Sequence, residues 1–153
     1  MKKILSLAAA AALLFASCGT DKATGDTTEQ QNEENLQEAL IGDWLIGNIV
    51  VNDSLTVIPA EIPSEQAQTA TFTPDSILSI QTNCNILNSS YTVSGDTLYV
   101  GETLSTMMAC DNSVVEDVLK QMLPEVTTYA FANDTTLVIN TANGGTIQLT
   151  KID

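Results

Sequence analysis

Met107, Met108 and Cys110 place two thioethers and a thiol within four residues, and Cys84 is the one other cysteine beyond position 18. Three chemistries use such groups. Thioether and thiolate sulfur suit a soft ion such as Cu(I). A thiolate of lowered pKa attacks as a nucleophile. Two thiols in an oxidising compartment join as a disulfide. The chain has no histidine, so the usual base of a cysteine nucleophile is missing. It also lacks the Cys-x-x-Cys and EF-hand spacings that would strengthen a metal reading. The first expectation is a structural disulfide between Cys84 and Cys110. Copper on Met107, Met108 and Cys110 is the lesser alternative, and the methionines are expected to pack beside a helix as gap-fillers.

Asp96, Glu102, Asp111 and Glu116 are the carboxylates from which an acid/base pair could be drawn. With nineteen acidic residues in the chain, such pairs arise by accident, and turns or a helix cap account for each one. The chain is therefore expected not to be an enzyme and to need no cofactor. A further pattern is Asp, then Ser or Thr, then an aliphatic residue or Thr, with acceptors at Thr27, Ser54, Ser76, Thr97 and Thr135. It resembles the O-glycosylation triplet of one group of Gram-negative bacteria; an Asp-ended turn before a strand explains most of the same sites.

The N-terminal end says where this chemistry is expected to happen. Lys2 and Lys3 precede an apolar run from Ile4 to Ala16, which is a secretory signal and too short for a permanent span of ~20 apolar residues. Leu14-Phe15-Ala16-Ser17-Cys18 resembles the bacterial lipobox, with Phe15 where leucine is commoner. That resemblance implies cleavage after residue 17 and an acyl anchor on Cys18. Localisation is then the cell envelope, lipid-anchored at the outer membrane. Cleavage leaves three lysines and no arginine against the nineteen acids, a net charge near −16. No phosphate-neutralising patch exists, so nucleic acid is excluded as a partner.

The elements that must position these residues follow. The signal covers 1–17, and residues 18–38 are polar and acidic enough to read as a flexible tether. A solvated helix over Glu29–Ala39 is the alternative for its later part. Residues 39–153 suffice for one domain with one core. Gly42–Val51 reads as a first strand carrying the only tryptophan, and its Gly-x-Trp resembles the lipocalin barrels. Pro59 and Pro63 mark a loop. Strands are predicted over Ala67–Thr73, Ser76–Thr82, Ser90–Ser94, Thr97–Gly101, Val126–Ala132, Thr135–Thr141 and Thr146–Lys151. One amphipathic helix runs from Val114 to Leu123, opened by a Ser113/Glu116 capping box and stopped by Pro124. The fold class is mainly β, a small antiparallel barrel with one packed helix.

Trp44, Phe72, Cys84-Asn85, Tyr91, Thr106-Met107-Met108-Ala109-Cys110 and the helix after them resemble, in order and spacing, the META/HslJ-like family of bacterial envelope proteins. Asn83, Met107 and Asp111 depart from the residues usual in that pattern. The resemblance implies a β-rich pseudo-barrel with one helix, in lipoproteins linked to envelope stress, drug tolerance and secretion, with no agreed enzymatic activity. The functional expectation is a non-enzymatic accessory or stress-tolerance module that contacts an envelope protein or small ligand. The alternative is a lipocalin-like carrier of an apolar molecule. An interior filled by Trp44, Phe72, Tyr91, Phe131 and the helix would favour the first, a deep apolar cavity the second.

Overall fold

Alternating apolar residues build the strands, and one break in that alternation shapes the first. The computed structural model describes residues 35–152 except Asp53 and Ser54. The signal segment, Cys18, Thr27 and Ser54 therefore lie outside the described residues. Strand β1 (Gly42–Asn52) buries Trp44 and Ile46 in the two-residue period, then Ile49 after a three-residue step. The register against the last strand shifts between Ile46 and Ile49. This bulge returns Ile49 to the inner face.

The remaining elements are β2 (Leu55–Val57), β3 (Thr69–Phe72), β4 (Ile77–Gln81), β5 (Ile86–Ser94), β6 (Thr97–Val100) and β7 (Leu104–Ser105). The helix α1 (Val114–Met122) precedes β8 (Val126–Asn133), β9 (Thr136–Thr141) and β10 (Thr146–Lys151). Neighbouring strands run antiparallel in the order β10-β9-β8-β6-β5-β4-β3-β1, and β10 pairs back onto β1. Eight strands thus close a barrel. Short β2 extends the pairing of β1, and β7 adds to β5. Closure removes the open edges that an eight-stranded sheet would otherwise expose.

The interior is filled by side chains. Trp44, Phe72, Tyr91, Leu87, Leu98, Leu137 and Leu149 are almost fully buried, and Val115, Leu119, Met122 and Leu123 enter the same core from the helical segment. Phe72 and Tyr91 meet edge to face with centroids 5.1 Å apart. Phe131 is only partly buried but bridges Trp44 and Tyr129, with centroids 6.2 and 5.9 Å away. The helix lies against the barrel interior, where Leu119 and Leu123 share with Ile46, Phe72, Ile139 and Leu149 a void of about 10 Å³. A drug-sized ligand needs roughly 300 Å³ or more. The barrel has no such internal chamber among the described residues.

Three sequence expectations need correction. Residues 35–38, assigned to the tether, belong to a helix that ends at Leu40, because Leu36 and Leu40 pack on the core and give that turn a buried face. The capping box does not form: Ser113 makes no cap bond and donates instead to Asp117 Oδ2 at 2.8 Å, while Asn112 Oδ1 accepts from the Val114 N–H at 3.0 Å. The strand predicted to begin at Ser90 begins at Ile86. Ser89 faces inward, bonded to Thr103 at 2.8 Å, and that polar inward residue masks the alternation.

The Asn143-Gly144-Gly145 turn shows why two glycines close the last hairpin. Gly144 has φ +80°, and a Cβ on Gly145 would stand 2.9 Å from the Val50 carbonyl and the Met122 methyl. Gly144 thus supplies a left-handed backbone, and Gly145 lies against β1 and the helix end only because it has no side chain.

Trp44 locks the entry to the barrel: its indole Nε1–H donates to the Leu40 carbonyl at 2.8 Å, and the Lys151 ammonium lies 5.4 Å from the ring centre. Trp44→Phe deletes the donor, leaves the Leu40 carbonyl unpaired and weakens the cation contact. It is expected to cost about 2 kcal/mol, read as a lower urea midpoint at unchanged slope.

Candidate functional site

The turn between β4 and β5 and the segment between β7 and the helix meet at Cys84 and Cys110, and the expected disulfide is present. Both sulfurs are consumed in it, so the copper alternative at Met107, Met108 and Cys110 loses its thiolate.

A polar hub stands beside the disulfide. Asn85 is buried and uses its whole amide: Nδ2 donates to Glu116 Oε2 at 2.8 Å, and Oδ1 accepts from Thr106 Oγ1 and from the Met108 N–H, both at 2.8 Å. Its backbone is held by Thr82, whose hydroxyl accepts from Asn85 N at 2.9 Å and donates to Asn85 O at 2.8 Å. Glu116 also accepts from Ser105 Oγ at 2.9 Å and from the Lys120 ammonium one helical turn on. Asn83 Nδ2 ties the same turn to the Asn112 carbonyl at 2.7 Å. The helix thus carries a carboxylate into the hub, and the hub clamps the 105–112 segment to the barrel wall.

Glu116 is the residue whose role the sequence hid. At 3 % exposure it is nearly as buried as the apolar core. Burial pushes its pKa up, but the donors from Lys120, Asn85 and Ser105, with the Lys120 charge, outweigh that and hold it below the ordinary carboxylate value. A carboxyl lowered in the folded state stabilises the fold above its unfolded pKa, and that contribution is lost as pH falls through the folded value. Unfolding free energy should hold steady from pH 7 to 5 and fall below about pH 4. Glu116→Gln, followed by urea titration across pH, is expected to flatten that limb. An unchanged limb would mean that other carboxylates set it.

The remaining candidates are dispersed. Asp96 lies exposed in the β5–β6 turn, and Glu102 and Asp111 are exposed beyond the hub. These three stand exposed on separate segments while Glu116 is held in the hub by Asn85, Ser105 and Lys120, so the four do not assemble into an acid/base pair. Ser76, Thr97 and Thr135 stand at or beside strand-joining turns; Thr97 and Thr135 are exposed, and Ser76 is half-buried with φ +60°. The Tyr91 and Tyr129 hydroxyls donate to the carbonyls of Thr73 and Gly95 at 2.9 and 3.1 Å. Burial raises both pKa values, with the Asp96 charge adding to that of Tyr129.

Met107 and Met108 do not pack beside the helix as expected. They are 96 % and 66 % exposed, because the disulfide and the bond from Met108 N–H to Asn85 hold the backbone of the segment down and leave the side chains facing water. Around them a shallow depression of about 390 Å³ runs from the disulfide to Ser113 and Lys120. This arrangement has an anchored backbone, both of its thiols joined in the disulfide, and exposed apolar side chains. It is suited to contact with another surface.

Residues 40–153 match the META domain family. The chain belongs to it. Solved structures with the same fold include an NMR structure of a protein from Burkholderia xenovorans, 18 % identical, with TM-score 0.62 over 77 % of this chain and 87 % of that one. A crystal structure of a DUF4847 family protein from Bacteroides vulgatus is 13 % identical, with TM-score 0.53 over 77 % of this chain and 99 % of that one. At these identities the META domain shares the barrel architecture with those proteins and nothing further is transferred. No curated protein matches the chain. The Trp44, Cys84-Asn85 and Thr106–Cys110 features that pointed to the META domain from sequence are, in the fold, the barrel lock, the hub and the clamped loop.

Proposed function

We propose that this META domain protein is a non-enzymatic lipoprotein of a bacterial cell envelope, anchored through Cys18 at the outer membrane. It serves as an accessory or stress-tolerance module by presenting the Met107–Met108 loop to a partner protein. One observation carries the reading: two adjacent methionines stand in water on a backbone pinned by a disulfide and a buried hub. Exposed methionine is a soft, adaptable contact group, and an apolar group so displayed on a rigid support is suited to a partner interface. The filled barrel interior disfavours the alternative of an enclosed apolar ligand.

Native mass spectrometry of the protein extracted from its own envelope tests this reading. A protein partner kept by the wild type and lost by the Met107→Ser/Met108→Ser double variant is expected. A partner kept equally by both, or a lipid retained in place of any protein, would sink the loop assignment. Intact mass in the same experiment should show acyl chains that disappear in Cys18→Ser. Added hexose-type mass at Thr27, Ser54, Ser76, Thr97 or Thr135 would establish glycosylation, and an acyl-only mass would rule it out.

A further inference from the structure

A second feature lies away from the methionine loop. Strand β1 pairs with β3 up to Leu45 and with β2 from Ile49. The chain joining β2 to β3 passes alongside this change of partner, through the Pro59–Glu61 turn and the segment 62–68, with Ile46 N–H donating to the Gln68 carbonyl at 3.0 Å. Between them is a cleft of about 330 Å³ walled by Leu45, Pro59, Ile62, Glu65 and Gln68. That volume is within the range of small-molecule sites.

Gln68 makes the cleft more than a surface fold. It is 4 % exposed, and its Nε2 donates to the Pro59 carbonyl at 3.0 Å. Its Oε1 is buried and has no hydrogen-bond partner. Turning the amide over would set that oxygen against the Pro59 carbonyl, so the unmet group is fixed as an acceptor. A buried acceptor left unmet destabilises the fold, and such a group in a folded protein calls for a ligand or an ordered water. The charge around it also has a sign. Glu65 is exposed on the wall, while the two lysines of the described residues are engaged elsewhere, Lys120 with Glu116 and Lys151 over Trp44.

We infer that this cleft binds a small molecule bearing a primary ammonium on an apolar body. One ammonium N–H meets Gln68 Oε1, the positive charge faces Glu65, and the alkyl portion lies against Leu45, Pro59 and Ile62. An anionic ligand has no cation to meet there. A quaternary ammonium has the charge but no N–H to give. The oxygen is itself buried, so a ligand reaches it only if the segment 62–67 yields. That stretch is largely exposed, lacks regular secondary structure and is tied locally by Ser64 Oγ donating to the Gln66 carbonyl at 2.6 Å. The inference concerns a different part of the surface from the methionine loop, and its test stands whether or not that loop takes a partner.

The test compares n-hexylammonium, hexyltrimethylammonium and hexanoate, titrated into the full chain carrying Cys18→Ser, by calorimetry and by 15N NMR. Hexylammonium should bind and shift the Gln68 side-chain amide with the Leu45 and Ala67 backbone signals. Hexyltrimethylammonium should bind at least tenfold more weakly, and hexanoate not at all. Gln68→Met fills the same space without the oxygen and should erase the difference between the two cations. Glu65→Gln, an exposed change that leaves the fold alone, should weaken hexylammonium binding severalfold and flatten its salt dependence. Equal binding of both cations to the wild type, shifts that map away from the cleft, or no response at millimolar amine would overturn the assignment.

Discussion

Asn85→Ala is expected to lower the unfolding free energy by about 4 kcal/mol, as much as truncating a large residue of the core. The side chain makes one bond to a buried carboxylate and accepts two more. Bonds to charged groups contribute about 1.5–3 kcal/mol and neutral ones about 1. The alanine also leaves the Met108 N–H and one Glu116 oxygen without their partner, in a place where water cannot fully replace it. For a domain whose total stability is of order 5–15 kcal/mol, the loss should be plain in a urea midpoint. Asn85→Asp separates this account from a simple loss of packing. The isosteric carboxylate would face Glu116 at hydrogen-bond distance, so one of the pair must hold a proton when folded. The folded-state pKa of that pair is raised, and the defect should shrink as pH is lowered from 7 towards 5. A pH-independent defect would contradict the hub geometry.

Cys84→Ala/Cys110→Ala is the second large change. The bond joins residues separated by 26 positions, and removing it frees the unfolded chain at a cost of about 3.5 kcal/mol in the chain-entropy model. The loss should not fall evenly over the molecule. The barrel strands pair without help from either cysteine, whereas the 105–112 segment is held by the disulfide and the hub together. Hydrogen exchange should therefore accelerate first at the Met108 amide and later, if at all, at Leu137 or Ile139 in β9. Uniform acceleration would show instead that loop and barrel open as one unit.

The barrel was legible because most of its strands obey the two-residue period: Thr146–Lys151 came out with the observed bounds, and Thr97–Val100 and Val126–Asn133 differ from expectation by a residue. Legibility failed where an inward position is polar. Ser89 hid the first half of β5, and the two-residue β7 has no pattern to detect. The site divided along the same line. The cysteine pair was readable from the even count of thiols beyond Cys18 and the oxidising compartment expected from the N-terminal segment, but Glu116 matches a capping box as well as it matches a hub. Only the approach of Asn85, 31 residues earlier in the chain, decides between the two. Exposure of Met107 and Met108 was unreadable for a related reason: an apolar residue is kept in water here by bonds its own backbone makes, which composition does not record. Gln68 gave no signal at all, since a glutamine in a loop is ordinary until its oxygen is found buried and alone.

The pairing of β1 with β10 joins Trp44 to Lys151 and Ile49 to Ile147, and this ties the timing of folding to the arrival of the last strand. Until that strand is delivered, Trp44 lacks its cation and one flank of β1 has no partner, so a chain emerging from its N-terminal end passes through an open sheet. Contacts between residues a hundred positions apart form slowly, and folds dominated by them take milliseconds to seconds. A nascent chain interrupted before Thr146 would present the unpaired flanks of β1 and β9 to any neighbour, including another interrupted copy. Quality control for this domain is therefore a matter of completion: the barrel is sealed by its final strand or it is not sealed at all.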